Sequence, residues 1–131
     1  MDEAFDKWNT QKKKLDKNPP HKVVAGNIYW LCIGQNIGHE VYGKSANFTR
    51  PVLVIKLLSN KLFLGVPLSS QTHKKHMSYH YAFKDNNGTE QVALLHQIRV
   101  FDTKRRRTKV AQVSDGVLRA IKDKIKREII D

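Results

Sequence analysis

Cysteine is almost missing from this sequence, Cys32 being the only one. A single thiol excludes an intramolecular disulfide and a cysteine-built zinc cluster. Its neighbours Leu31 and Ile33 are apolar, which predicts a buried thiol with no chemistry of its own. Long hydrophobic runs are missing as well. Val52-Leu53-Val54-Ile55 stops at Lys56, far short of the roughly 20 apolar residues that a membrane helix needs. Met1-Asp2-Glu3 does not begin a secretory signal. The expectation is a cytoplasmic protein with no membrane partner. Neither a glycine-rich phosphate loop followed by Lys-Ser/Thr nor a Gly-x-Ser-x-Gly elbow occurs, so ATP-driven and serine-hydrolase chemistry lack their parts.

Acidic side chains are scarce, with 12 Asp and Glu against 24 Lys and Arg and a formal net charge of +12. The excess is uneven. Between Lys44 and Lys109 thirteen basic residues face three acidic ones, so +10 of the charge lies in the middle of the chain. A positive centre between nearly neutral ends is the electrostatic footprint of a polyanion partner. The plainer alternative is a solvated, soluble surface. At 131 residues, 40% hydrophobic and 27% charged, the chain suits one domain around one core.

Ala4, Phe5, Trp8 and Leu15 fall near helical spacing among lysines, which predicts an amphipathic helix within an extension over residues 1–20. Asn18-Pro19-Pro20 ends it, because a residue preceding proline is pushed out of the α region. A second unit spans 21–131. Its period is that of strands: Ile28 to Ile33 is short, apolar and aromatic. Residues 51–58 and 62–68 are apolar β-formers joined by Ser59-Asn60-Lys61, the signature of an antiparallel hairpin. Met77, Tyr79, Tyr81 and Phe83 alternate with Ser78, His80, Ala82 and Lys84, a strand with one buried face. Asn86-Asn87-Gly88 turns the chain into a strand over 91–96, and 99–101 and 109–113 supply two more. Ser114 or Asp115 caps a closing amphipathic helix carrying Leu118, Ile121, Ile125 and Ile129. Strands with short connections and no βαβ alternation predict a mainly β fold, an antiparallel barrel or curled sheet.

Two loops carry candidate chemistry. Residues 34–49 are polar and glycine-bearing and deliver Arg50 to the start of an apolar strand. Loops of this length in a small domain are usually functional or disordered. The second, Ser69-Ser70-Gln71-Thr72-His73-Lys74-Lys75-His76, places hydroxyls, an amide and cations directly after an apolar strand. Guanidinium, hydroxyl and ammonium groups all suit phosphate. The ordinary structural alternatives are an Arg50–Glu40 salt bridge and a merely solvated second loop. His73, His76 and His80 have a spacing that invites a metal, but the flanking lysines would repel a cation and the three belong to different elements, so no metal or cofactor is expected. Lys104-Arg105-Arg106-Arg107 and Lys109 suggest phosphate binding without chemistry, or a solvated turn.

Gly26-Asn27-Ile28-Tyr29-Trp30, the glycine loop ending in Arg50-Pro51-Val52-Leu53-Val54-Ile55, Val66-Pro67-Leu68-Ser69-Ser70-Gln71 and Gln97-Ile98-Arg99-Val100-Phe101-Asp102 succeed one another in order. This succession resembles the MazF/PemK toxins. The likeness runs from about Gly26 to the end and leaves the first twenty residues as an extension. It implies an SH3-like antiparallel barrel that forms a homodimer, cuts single-stranded RNA without a metal, and is held inactive by a cognate antitoxin. Catalysis would rest on Arg50, which binds and neutralises the scissile phosphate, and on Ser69, whose hydroxyl stands where the family usually has threonine. Glu40 and Gln71 would line the substrate groove, with Ser70, His39, Lys74, Lys75 and Arg99 as further binding residues. His39, His73 or the guanidinium itself could take the 2′ proton. Two rivals share the fold, a barrel toxin aimed at a protein target such as gyrase and a catalytically silent nucleic-acid-binding barrel.

Overall fold

The computed structural model describes residues 22–33, 49–71 and 77–131. The helix expected in the first twenty residues therefore lies outside the described residues, as do 34–48 of the glycine loop and 72–76 of the second loop.

Among the described residues seven strands, β1 (Asn27–Cys32), β2 (Thr49–Leu57), β3 (Leu62–Ser69), β4 (His80–Lys84), β5 (Glu90–Leu94), β6 (Arg99–Asp102) and β7 (Arg106–Gln112), precede one α-helix, α1 (Asp115–Ile125). They form an antiparallel sheet in the order β4-β5-β3-β2-β1-β7, with β6 added to β3. β2 and β3 form the expected hairpin, in which Val52 faces Pro67 and Leu57 faces Phe63. Ser59 sets its turn by accepting hydrogen bonds at Oγ from the backbone N–H groups of Lys61 and Leu62.

The central strands are apolar on both faces because both faces are covered. Ile28, Leu53, Ile55, Val66 and Leu68 join Ile121 and Ile125 of α1 in one cluster, while Tyr29, Leu31, Val52, Val54, Phe63 and Phe101 form the other. Gly65 shows how close the second packing is: a Cβ there would lie 2.8 Å from Val52 Cγ1 and 3.1 Å from each of two phenylalanine rings. Ser114 caps α1, its Oγ accepting from Val117 N, an arrangement worth about 1 kcal/mol. Lys124 holds the helix to the sheet by donating to the carbonyl oxygen of His80 at 2.7 Å.

The β4–β5 turn closes the sheet onto its far edge. Asp85 Oδ1 accepts from the N–H groups of Asn87 and Thr89, and Gly88 takes the left-handed conformation (φ +79°) that the turn requires. Asn86 then bonds Gln112 twice, N–H to O at 3.0 Å and Oδ1 from N–H at 2.9 Å. The result is the curled, nearly closed antiparallel sheet expected from the strand pattern.

Three elements depart from the sequence reading. β4 starts at His80, not Met77, and His80 is buried although alternation turned it outward. The cause is a local aromatic cluster: Tyr79 meets His80 and His96 edge to face at centroid distances of 4.6 and 4.2 Å. β5 ends at Leu94, and His96 falls in a 3-10 turn (Leu95–Gln97). β7 begins at Arg106, three residues before the expected start, so part of the basic run is sheet and not a solvated turn. Arg106 lies over the Tyr29 ring at 4.5 Å, and Arg105 donates to the carbonyl oxygen of Cys32 at 3.0 Å. Long aliphatic stems and a flat guanidinium let arginine occupy such half-buried positions.

Candidate active site

Arg50 enters the sheet beside β1, opposite Leu31. The β2–β3 register, continued two residues beyond Val52 and Pro67, sets it opposite Ser69 at the end of β3. Both side chains are buried, at 7% and 4% exposure. Arg50 Nη1 donates to the carbonyl oxygen of Leu68 at 2.8 Å. Ser69 Oγ accepts from the backbone N–H of Gln71 at 3.1 Å, which leaves the hydroxyl proton to be donated elsewhere.

Arg50 and Ser69 line one cleft of about 450 Å3. Ser70 and Thr49 share its rim, Trp30 and Pro51 form an apolar side, and Thr89, Gln91 and Val110 close it from the β4–β5 turn, β5 and β7. On the closing side Asn86 and Asn87 tie the β4–β5 turn to β7, Asn87 Nδ2 reaching the carbonyl oxygen of Val110 at 3.4 Å. A buried guanidinium beside a buried hydroxyl, in a cleft with an aromatic wall, has the parts to take a phosphate and an adjoining planar base.

Of the sequence-derived site residues, the structure brings together Arg50, Ser69 and Ser70, with Gln71 attached through its backbone to Ser69. Arg99 is not among the residues lining the cleft: it sits on β6 opposite Gly65, with its guanidinium 4.9 Å from the centre of the Phe101 ring. Glu40, His39, Lys74 and Lys75 lie outside the described residues, as do His73 and His76. Among the described residues no three His, Cys, Asp or Glu side chains converge as a metal site, and no helix is long and apolar enough to cross a membrane. Burial pushes the Cys32 thiol above its ordinary pKa, and Arg107 and Arg105 offset part of that rise. Sequence reasoning missed Gln91, Thr89, Thr49 and Val110. The only local signal was Asp85-Asn86-Asn87-Gly88, whose composition predicts an Asx turn but not what that turn closes against.

A small, nearly closed antiparallel sheet with a C-terminal helix, carrying a buried Arg–Ser pair in a cleft, is the class of protein that the structure defines. The chain belongs to the PemK-like, MazF-like toxin family of type II toxin–antitoxin systems, whose family model matches residues 25–129. Its fold is similar to the crystal structure of MazF (form I) from Deinococcus radiodurans, at 24% identity and a TM-score of 0.64, covering 82% of this chain and 96% of that one. It is similar also to the MazE–MazF structure (form II) from the same organism, at 21% identity and a TM-score of 0.60, covering 82% and 94%. An endoribonuclease in complex with its cognate antitoxin from a mycobacterial species matches at 10% identity and a TM-score of 0.61, covering 81% and 93%. No curated protein matches the chain significantly.

Proposed function

We propose that this toxin is a metal-independent, sequence-selective endoribonuclease that cuts single-stranded RNA through the substrate's own 2′-hydroxyl and so stops translation. The observation that carries the reading is the Arg50–Ser69 pair in the wall of one cleft. RNA supplies its own nucleophile, so the protein has two tasks, to hold the 2′-oxygen in line with the phosphorus and to stabilise the charge that builds on the phosphoryl oxygens. Arg50 binds and neutralises those oxygens through its fork of N–H donors. Ser69 donates its hydroxyl proton to the same group. A guanidinium stays protonated and is a poor base, and His39 and His73 are the candidates for accepting the 2′ proton.

In-line attack leaves a 2′,3′-cyclic phosphate and a 5′-hydroxyl. A single 2′-deoxy nucleotide on the 5′ side of the scissile phosphate is expected to stop cleavage while binding persists, because backbone charge supplies much of the affinity. Excess EDTA is expected to leave the rate unchanged. Cutting of the deoxy substrate, or a chelation loss restored by a divalent ion, would replace this mechanism with a metal-activated water.

The same reading includes a homodimer and, as in the mycobacterial complex, a cognate antitoxin. The net +10 between Lys44 and Lys109 suits an acidic, disordered antitoxin segment that orders against the cleft. Its affinity is expected to fall steeply between low and high salt, in competition with RNA. Titration of the sedimenting dimer with the antitoxin at two salt concentrations reads both points, and equal affinity at both with RNA access unchanged would remove the acidic segment from the account.

A further inference from the structure

Gln91 lies on β5 opposite Phe83 and two residues before Ala93, which pairs with Leu68. Strand alternation turns Gln91 toward the face that carries Leu68. The side chain is buried, at 7% exposure, and forms part of the cleft wall across from Arg50 and Ser69. Within the described residues only one end of the amide is used, and Oε1 is not among the enclosed side-chain atoms that lack a partner, so it stays open to a ligand. Gln91 Nε2 donates to Asp85 Oδ2 at 3.1 Å. Asp85, also buried, is held by the two backbone N–H groups that donate to its Oδ1. A carboxylate accepts only. The amide therefore cannot flip: nitrogen faces Asp85, and Oε1 is turned away from it. Among the described residues Oε1 has no hydrogen-bond partner.

We propose that Gln91 reads a base of the RNA, its fixed Oε1 accepting a hydrogen bond from the exocyclic amine of adenine or cytosine beside the scissile phosphate; this rests on the reading of the cleft as the RNA-cutting site. The chemistry selects amine over carbonyl. Adenine N6 and cytosine N4 stand at the rim of the base where guanine O6 and uracil O4 present acceptors, and an acceptor facing Oε1 next to a carboxylate is repelled. The cleft has a face for such a base: Trp30, 40% exposed, lies in the same wall system, and an indole gives a base a sequence-tolerant stacking surface. Stacking on Trp30 holds the base, and Gln91 chooses which base is held. Asp85 is the positioning residue, acting through the amide and not on the RNA.

The test maps the 5′ ends of a long RNA cut by the full chain and by Gln91→Met, which keeps the length of the side chain and removes both polar atoms. The wild-type protein is expected to show one position, within two nucleotides of the cut, where adenine or cytosine is favoured over guanine and uracil. Gln91→Met is expected to flatten that preference by at least about fivefold at that position only. A second measurement needs no variant: an oligonucleotide whose base at that position lacks the amine, purine for adenine or 2-pyrimidinone for cytosine, is expected to lose at least about fivefold in kcat/KM with the wild-type protein. An absent amine preference, equal kcat/KM for the two oligonucleotides, or a folded Gln91→Met variant with the wild-type profile overturns the assignment. If RNA is cut without regard to Gln91, the endoribonuclease reading stands and this one falls; if no RNA is cut, both fall.

Discussion

Arg50→Ala is expected to reduce RNA cleavage by about 10²- to 10³-fold or more, the loss typical of removing one donor from the site where transition-state charge develops. Ser69→Ala should lose about 10²-fold or more. The position of Arg50 makes the first effect the more informative. Its guanidinium is buried and already committed through Nη1 to the Leu68 carbonyl, so its remaining donors are held in one orientation before RNA arrives, and no reorganisation is needed as charge builds. The same bond has a structural cost when it is cut. A buried carbonyl left without a partner loses about 1–3 kcal/mol, so the variant will be less stable though folded. Arg50→Lys separates the two roles: it restores charge without the planar fork, and should recover stability more than rate. Single-turnover cleavage with enzyme in excess, alongside circular dichroism, is the measurement. A folded Arg50→Ala protein that cuts RNA at the wild-type rate would sink the catalytic assignment of Arg50.

Phe63→Ala carries the largest expected effect on stability, about 3–5 kcal/mol. Phe63 is wholly buried, and its ring stacks on Phe101 at 5.6 Å. The surroundings have little freedom to collapse into the space, since Phe63 sits on β3 between β2 and β6, with its backbone fixed by both ladders. Gly65 is already so tightly placed that even a methyl group there would strike Val52 and the two rings. For a domain whose total stability is of order 5–15 kcal/mol, such a loss leaves a marginal protein. Urea unfolding should show a much lower midpoint with a similar slope. A shift corresponding to less than about 1 kcal/mol would mean that this second cluster is far looser than its packing indicates.

The β2–β3 hairpin was legible because its signals are local: two apolar runs and a Ser-Asn-Lys turn. The Arg50–Ser69 juxtaposition was not legible from the hairpin: counted back from Leu57 and Phe63 the ladder sets Arg50 opposite Ser70, and only the register shift between Val54 and Lys56 brings Ser69 there; the pair came from the family resemblance. The start of β4 was not legible, because period-2 counting cannot register that Tyr79 and His80 pack against His96. The start of β7 inside the arginine run was missed for a related reason. Charge reads as solvent in a sequence, whereas Arg106 finds the Tyr29 ring far away in the chain. The far wall of the cleft was the least legible part. Gln91 reaches it through the pairing of β5 with β3, and Val110 through the pairing of β7 with β1, while Asn86 and Asn87 tie the β4–β5 turn to β7; no spacing or composition marks contacts of that range.

Those bonds from Asn86 have a bearing on how an extended peptide, such as the antitoxin segment proposed above, could meet this sheet. Gln112 ends a strand that pairs with β1 on one side only, and there Asn86 meets both its N–H and its C=O as the residue of another strand would. The ladder is thus plugged by a turn at this point. β-augmentation, in which an extended peptide prolongs a sheet by main-chain pairing, requires open donors and acceptors along an edge. It is blocked at the C-terminal end of β7, where Asn86 already occupies both edge groups of Gln112.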